Sequence, residues 1–299
     1  MRILMTGATG FIGTNLCKFW EHKGYEVTAL VRNLDTARRK IANARLVTSL
    51  KEIKADEKID AIVNLAGAPI AGGLWTKKYR TELLNSRVLS TNDLIVFVRK
   101  LHVKPKVMIN ASAAGFYGRR GTELLDEHEA PQTIFMSTLC KDWEAAATSV
   151  EQFGVRLVIP RISVVLGNDG GAFPKLVHAM KFGMGAITGS GKQYFPWIHK
   201  TDLIKLFDYM LETETLSGPV NAVAPDPCTN AYFNKAIART LRRPLMMRIP
   251  EPILRFALRE MADLFVAGQH MSASKVLGAG FEFQYPKLDD ALKDLLNVT

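Results

Sequence analysis

Apolar and polar positions change period several times along the first half of the chain. Arg2 to Met5 is a short apolar run that breaks into Thr6-Gly7-Ala8-Thr9-Gly10-Phe11-Ile12-Gly13. Ile12, Leu16, Phe19 and Trp20 then fall at helical spacing, and Gly24 stands where a helix C-terminus favours glycine. This pattern predicts strand, glycine turn, helix. Tyr25 to Val31 alternates as a second strand, and Asp60 to Leu65 is an apolar run that closes in Asn64-Leu65-Ala66-Gly67. Thr76 to Lys100 reads as a long helix, Val107 to Ala111 as a strand, Ser137 to Phe153 as a helix and Val155 to Ile159 as a strand. Continuously apolar strands separated by helices predict an α/β fold, a doubly wound parallel sheet covered on both faces with right-handed crossovers.

After Pro160 the rhythm changes. Gly167 to Gly171 and Gly183 to Gly191 are loop-rich, Val220 to Val223 reads as one further central strand, and the remainder is mostly helical, ending in an amphipathic helix over Asp289 to Leu296. The expected division is a dinucleotide-binding domain over residues 1–165 and 201–225. Residues 166–200 and 226–299 then form a smaller, discontinuous, mostly helical substrate lobe.

Composition narrows the function classes. With 47% hydrophobic residues in 299, the chain has the apolar share of a globular protein. No run approaches the roughly 20 apolar residues that a membrane span needs, and the N-terminal apolar stretch is too short for a signal peptide. A cytoplasmic protein is expected. Cys17, Cys140 and Cys228 are far apart with no CxxC, and the histidines form no HExxH, so neither a disulfide framework nor a metal site is expected. The formal charge is +10, but the basic residues are dispersed and not interleaved with aromatics, which argues against nucleic acid and leaves an acidic surface or a phosphorylated small molecule as the anionic partner.

Gly7, Gly10 and Gly13 give that anion a place. Between a strand and a helix, the first glycine allows the turn, the second lets a pyrophosphate approach the backbone, and the third lets helix and strand pack closely. This is the Rossmann arrangement. The second strand ends Leu30-Val31-Arg32-Asn33, with the first acid delayed to Asp35. An arginine there suits the 2′-phosphate of NADP(H), where an acid would suit the ribose of NAD; Arg38 or Arg39 can assist.

The sequence then resembles a family. GATGFIG, NLAG at 64–67 and SAAGFYG at 112–118 are similar to extended or atypical short-chain dehydrogenases/reductases. AGAPIAGGLWT, Asn85-Ser86-Arg87, CKDWEAAA, RISVVLGNDGGAFPK, GSGKQYFPWIH and GQHMSASKVLGAGFEFQYP resemble, end to end, the epimerase-like subgroup of the NAD-dependent epimerase/dehydratase family, with its short C-terminal domain at about 247–299. Some members carry a cell-division label. The resemblance implies NADP(H) contacts from Gly7, Thr9, Gly10, Phe11, Ile12 and Gly13, from Val31 and Arg32, from Leu65, Ala66 and Gly67, and from Glu82, Arg87 and Cys140. It also implies a homodimer formed through two long helices, about 80–100 and 138–153.

Short-chain dehydrogenases usually carry a YxxxK pair, the tyrosine transferring a proton and the lysine lowering its pKa. Aligned on Glu144, this chain has Met136 and Cys140 at those positions, and neither substitutes. Candidate replacements near the strand ends are Tyr117, Ser112 and His199, the last with Asp202 three residues on as an orienting partner. Trp75, Phe116, Phe195 and Trp197 are candidates for an aromatic wall of the cleft. Lys141, next to Cys140, points about 100° away on a helix. The expected function is an NADP(H)-dependent oxidoreductase or epimerase-like enzyme acting on a small, phosphorylated or nucleotide-linked substrate. Its alternative is a catalytically silent NADP(H)-binding regulatory or sensor protein.

Overall fold

In a computed structural model that describes residues 1–297, the apolar runs marked as strands lie side by side. The strands that position the site are β1 (Arg2–Thr6), β2 (Glu26–Leu30), β3 (Arg45–Val47), β4 (Ala61–Asn64), β5 (Val107–Asn110) and β6 (Ser112–Ala113). They are followed by β7 (Leu124–Leu125), β8 (Arg156–Ile162), β9 (Val164–Leu166), β10 (Ala186–Thr188), β11 (Trp197–His199) and β12 (Gly218–Ala222). The main sheet has the order β12-β8-β5-β4-β1-β2-β3, with β6 also on β8, and its pairs are all parallel. The predicted doubly wound parallel sheet is present.

Alternate residues of each strand face opposite ways, so each strand feeds two cores. Ile3, Met5, Val63, Ile109 and Val158 pack with α1 (Phe11–His22) and with Leu203, Phe207 and Met210 on one face. Leu4, Ile62, Met108, Leu157 and Ile159 pack with Leu94 and Val98 on the other. The helices after α1 are α2 (Leu34–Lys40), α3 (Lys77–Lys100), α4 (Phe135–Thr148), α5 (Phe173–Lys181), α6 (Lys200–Glu212) and α7 (Asn230–Thr240). A further core, including Phe173, Trp197, Phe233, Ile237 and Leu292, joins α5 and α7 to the helix Leu288–Leu296.

Several elements differ from expectation. The helix expected over 137–153 begins at Phe135 and ends at Thr148, followed by a separate turn of 3₁₀ helix at Glu151–Phe153. β8 runs through Pro160 to Ile162 rather than stopping before it. Pairing to β5 ends at Ile109↔Val158 and resumes on β6 at Ser112↔Arg161, so the missing proline N–H falls in a gap of that ladder. The strand at Gly218–Ala222 is an edge strand, not a central one. The short elements β3 and α2 carry too few residues for periodicity to reveal them.

Candidate functional site

The glycine turn joins β1 to α1 at the carboxyl end of the sheet. Gly7 has φ +68°, and a Cβ there would lie 2.5 Å from the Leu65 carbonyl oxygen. A Cβ on Gly13 would lie 2.3 Å from the Gly7 oxygen, whereas one on Gly10 meets only that oxygen, at 3.2 Å. Gly7 and Gly13 are therefore fixed by packing, and Gly10 keeps the outer surface bare. Gly10 is also the N-cap of α1, with no side-chain cap and no acidic residue in the first turn, so first-turn N–H groups remain for an anion.

Cations stand near this turn. Val31 is buried, its N–H donated to the Val47 carbonyl, and leads directly to the exposed Arg32, which makes no ion pair among the described residues. Arg38 is 3.9 Å from Asp35. Lys40, which sequence reasoning missed, donates from Nζ to the Thr9 carbonyl at 3.0 Å. A bare middle glycine, an uncapped helix start and two cations with no carboxylate partner fit the phosphates of a dinucleotide. Thr9 and Ile12 are half-buried in the same turn. The Phe11 ring is engaged elsewhere: a Cβ on Gly167 or Gly170 would come within 2.8 or 2.6 Å of it. Asn15 Nδ2 and Lys200 Nζ both donate to Asp169, at 2.9 and 2.7 Å, holding the same loop to α1. Gly170 and Gly171, in the loop-rich segment after β9, make room for Phe11.

Thr6, Asn64 and Asn110 end three adjacent strands in register. Thr6 Oγ1 donates to Asn64 Oδ1, and Asn64 Nδ2 donates to Asn110 Oδ1 at 2.6 Å and to Thr91 Oγ1 at 2.8 Å. The Ala66 N–H in turn reaches Thr6 Oγ1 at 3.2 Å, which fixes the loop after β4. Arg87 braces that loop from α3, donating to the Leu83 and Ala68 carbonyls at 3.0 and 3.1 Å and lying over Gly67, where a Cβ would be 2.8 Å from its Cζ. Glu82 is exposed on the same helix and forms no ion pair with Arg87.

On α4, Met136 and Cys140 lie four residues apart and both approach Gly115, while Lys141 is exposed. Burial pushes the Cys140 thiol up to about 11, with Glu144 adding to the rise and Arg87 opposing it. Burial likewise raises Cys17 and Cys228 to about 12, so none of the three thiols is poised as a thiolate.

The three expected proton-transfer groups are bound up in the framework. Ser112 is buried and donates from Oγ to Glu144 Oε1 at 2.6 Å. Tyr117 is fully buried; its hydroxyl donates to Asn221 Oδ1 at 2.6 Å and accepts from Arg161 Nη1 at 3.1 Å. Burial pushes its pKa up to about 12, against the partly opposing Arg161 charge. His199 is buried as the N-cap of α6, its Nδ1 accepting the Thr201 N–H at 3.1 Å, which assigns the ring proton to Nε2. Nε2 is 3.3 Å from Asp294 without hydrogen-bond geometry, and burial lowers the ring pKa to about 4 despite that carboxylate. Asp202 does not orient His199. It accepts the Gln284 and Tyr285 N–H groups at 2.7 and 2.9 Å, and burial raises its pKa against those two bonds.

A cleft of about 160 Å³ opens between Ala113, Gly115 and Met136 on one side and Phe195, Leu264 and Ala267 on the other. Of the four expected aromatic wall residues only Phe195 lines it. Trp75 packs on Phe135, Phe116 lies 3.4 Å below the Arg161 guanidinium, and Trp197 belongs to the core of Phe173, Phe233 and Leu292. Tyr194, unremarked in the sequence except as part of a motif, lines it too. Among the described residues no group of side chains can hold a metal ion, and no helix is long and apolar enough to cross a membrane.

A parallel sheet with its glycine turn, bare helix start and unpaired cations at the carboxyl edge defines a dinucleotide-binding α/β protein. The chain belongs to the NAD dependent epimerase/dehydratase family, which its residues 3–222 match; residues 249–295 match a domain of unknown function, DUF1731. It is 37% identical to the epimerase family protein YfhF of Bacillus subtilis (strain 168), over 99% of this chain and 98% of that one. The crystal structure of human epimerase family protein SDR39U1 (isoform 2) with NADPH superposes over the whole of both chains, with a TM-score of 0.89 and 31% identity. A nucleoside-diphosphate sugar epimerase from Corynebacterium glutamicum matches with a TM-score of 0.79 and 28% identity, over 99% of this chain and 58% of that one.

Proposed function

We propose that this protein binds NADP(H) along the Gly7–Gly13 turn and carries out hydride transfer on a small substrate in the cleft between sheet and lobe. The observation that carries this reading is Arg32, an exposed cation without an ion-pair partner among the described residues, two positions beyond the Thr6↔Leu30 pair. The NADPH bound to the human relative supports it. When bound, the cofactor supplies a hydride from its nicotinamide. The N–H groups at the start of α1 would meet the pyrophosphate, and Arg32 with Lys40 would hold the 2′-phosphate. Arg87 would keep the Leu65–Gly67 loop in place for the cofactor.

In this reading Met136 and Cys140 stand where related dehydrogenases carry tyrosine and lysine. Methionine has no proton to transfer, and a thiol raised to about 11 carries no charge to tune one. The same pair favours a second reading, a catalytically silent NADP(H)-binding regulator. Turnover of any carbonyl compound or nucleotide sugar across a broad panel decides for the enzyme. The half-exposed Leu89 and Val96 on α3 mark the face through which two copies would pair.

Arg32→Ala tests the cofactor assignment. It should raise the NADPH dissociation constant about 10- to 100-fold, the loss of one or two charge-assisted hydrogen bonds, and leave that for NADH nearly unchanged. Equal effects on both nucleotides sink the assignment.

A further inference from the structure

The cleft beside Met136 is chemically unlike a site for a charged ligand. No Lys, Arg or His lines it. Most donors of its wall are already committed: Ser163 Oγ donates to the Ala222 carbonyl at 2.8 Å, Gln193 Nε2 to Thr188 at 2.8 Å and Gln269 Nε2 to Gly118 at 2.7 Å, which leaves the neutral Gln269 Oε1 as an acceptor. The one lining carboxylate, Asp263, is gripped by Arg119 Nε and Nη2 at 2.8 and 2.9 Å and by Arg255 Nη1 at 3.2 Å. Arg255 also pairs with Glu251, so two cations face two anions and no positive charge is left over. Arg248, the cation of the neighbouring glycine loop, donates to the Gly189 and Ser190 carbonyls and does not line the cleft.

One hydroxyl on this wall has no partner among the described residues. The Tyr194 hydroxyl makes no hydrogen bond among the described residues, while its ring lies parallel to His270 at 3.9 Å, which fixes its orientation.

We propose that this cleft takes a small, uncharged, largely apolar molecule with one carbonyl or hydroxyl oxygen, held by the Tyr194 hydroxyl, and not a nucleotide sugar. The substrate class rests on the NADP(H)-dependent reading above. A diphosphate brought against this wall would lose its water and meet no cation, and burying unpaired charge is far costlier than burying apolar surface. The volume points the same way, since 160 Å³ is well below the roughly 300–1,000 Å³ that encloses a drug-sized ligand.

The test is calorimetric titration of the full chain saturated with NADP⁺, which permits binding of a ketone without its reduction, using cyclohexanone, acetophenone and UDP-glucose as probes. The same titrations without nucleotide separate the two claims: failure to bind NADP⁺ overturns the cofactor reading, while the ranking of probes still judges the cleft. A ketone should bind and UDP-glucose should not. Tyr194→Phe should weaken the ketone about tenfold, the loss of one hydrogen bond, with NADP⁺ affinity unchanged. Ala267→Phe, which fills the cleft, should abolish ketone binding; its melting temperature shows whether it folds, and Leu264→Trp is the second filling variant. UDP-glucose binding more tightly than both ketones, no ketone binding, or ketone binding indifferent to all three substitutions overturns the proposal.

Discussion

Arg161 and Glu144 form a bidentate ion pair at the carboxyl end of the sheet, with Nε and Nη2 each 3.0 Å from a carboxylate oxygen and only 3% and 8% of the two residues exposed. Burial works against the guanidinium charge, and Glu144 more than offsets it, so the Arg161 pKa lies above its ordinary value. Removing one partner strands a buried charge. Glu144→Ala should cost about 3–5 kcal/mol, and Glu144→Leu combined with Arg161→Met much less. Urea midpoints check this; a fully stable Glu144→Ala would show that the pair is not what holds β8 to α4.

Tyr117 stands on the same arginine. Tyr117→Phe removes its bonds to Asn221 and Arg161 and should cost about 1–2 kcal/mol. NADPH affinity and any turnover should stay at the wild-type level. A variant of normal stability without turnover would return Tyr117 to the catalytic group.

The turn glycines should separate fold from ligand. Gly13→Ala forces a Cβ to 2.3 Å from backbone and should destabilise the chain by about 1–3 kcal/mol or more. Gly10→Ala meets only the Gly7 oxygen, at 3.2 Å, and should lower the melting temperature little while weakening NADPH. Nucleotide titration beside thermal unfolding reads both; equal destabilisation by the two would contradict the asymmetry.

His199 should give stability a pH dependence. Its ring titrates near 6.5 in the unfolded chain and at about 4 when folded, so its contribution is complete above pH 6.5. As pH falls from there to about 4, the unfolded state takes up a proton that the folded state refuses. Stability is then lost at up to about 1.4 kcal/mol per pH unit. His199→Asn keeps a cap acceptor without a titrating ring, so the difference between the two stability–pH curves should slope across this window. A flat difference would mean that the Asp294 carboxylate offsets both the burial of the ring and the Lys200 charge, which lower its pKa together.

The strand–glycine turn–helix unit, the parallel sheet and the family were legible in the sequence because each depends on local period or on neighbouring residues. Gly7 and Gly13 are where they are because a side chain would strike backbone a few residues away or on the adjoining strand. What the sequence could not show was the direction and partner of single polar side chains. Ser112, Tyr117 and His199 carry proton-transfer chemistry by type, yet Glu144, Asn221 and the α6 backbone claim them from 32, 104 and 2 residues away. Lys40 and Tyr194 belong to no readable spacing and come to the site through α2 and the loop between β10 and β11. Residue type and period are properties of short segments, so the sequence determined the fold; whether a hydroxyl is spent or free depends on contacts between distant segments, and only the tertiary structure decided that.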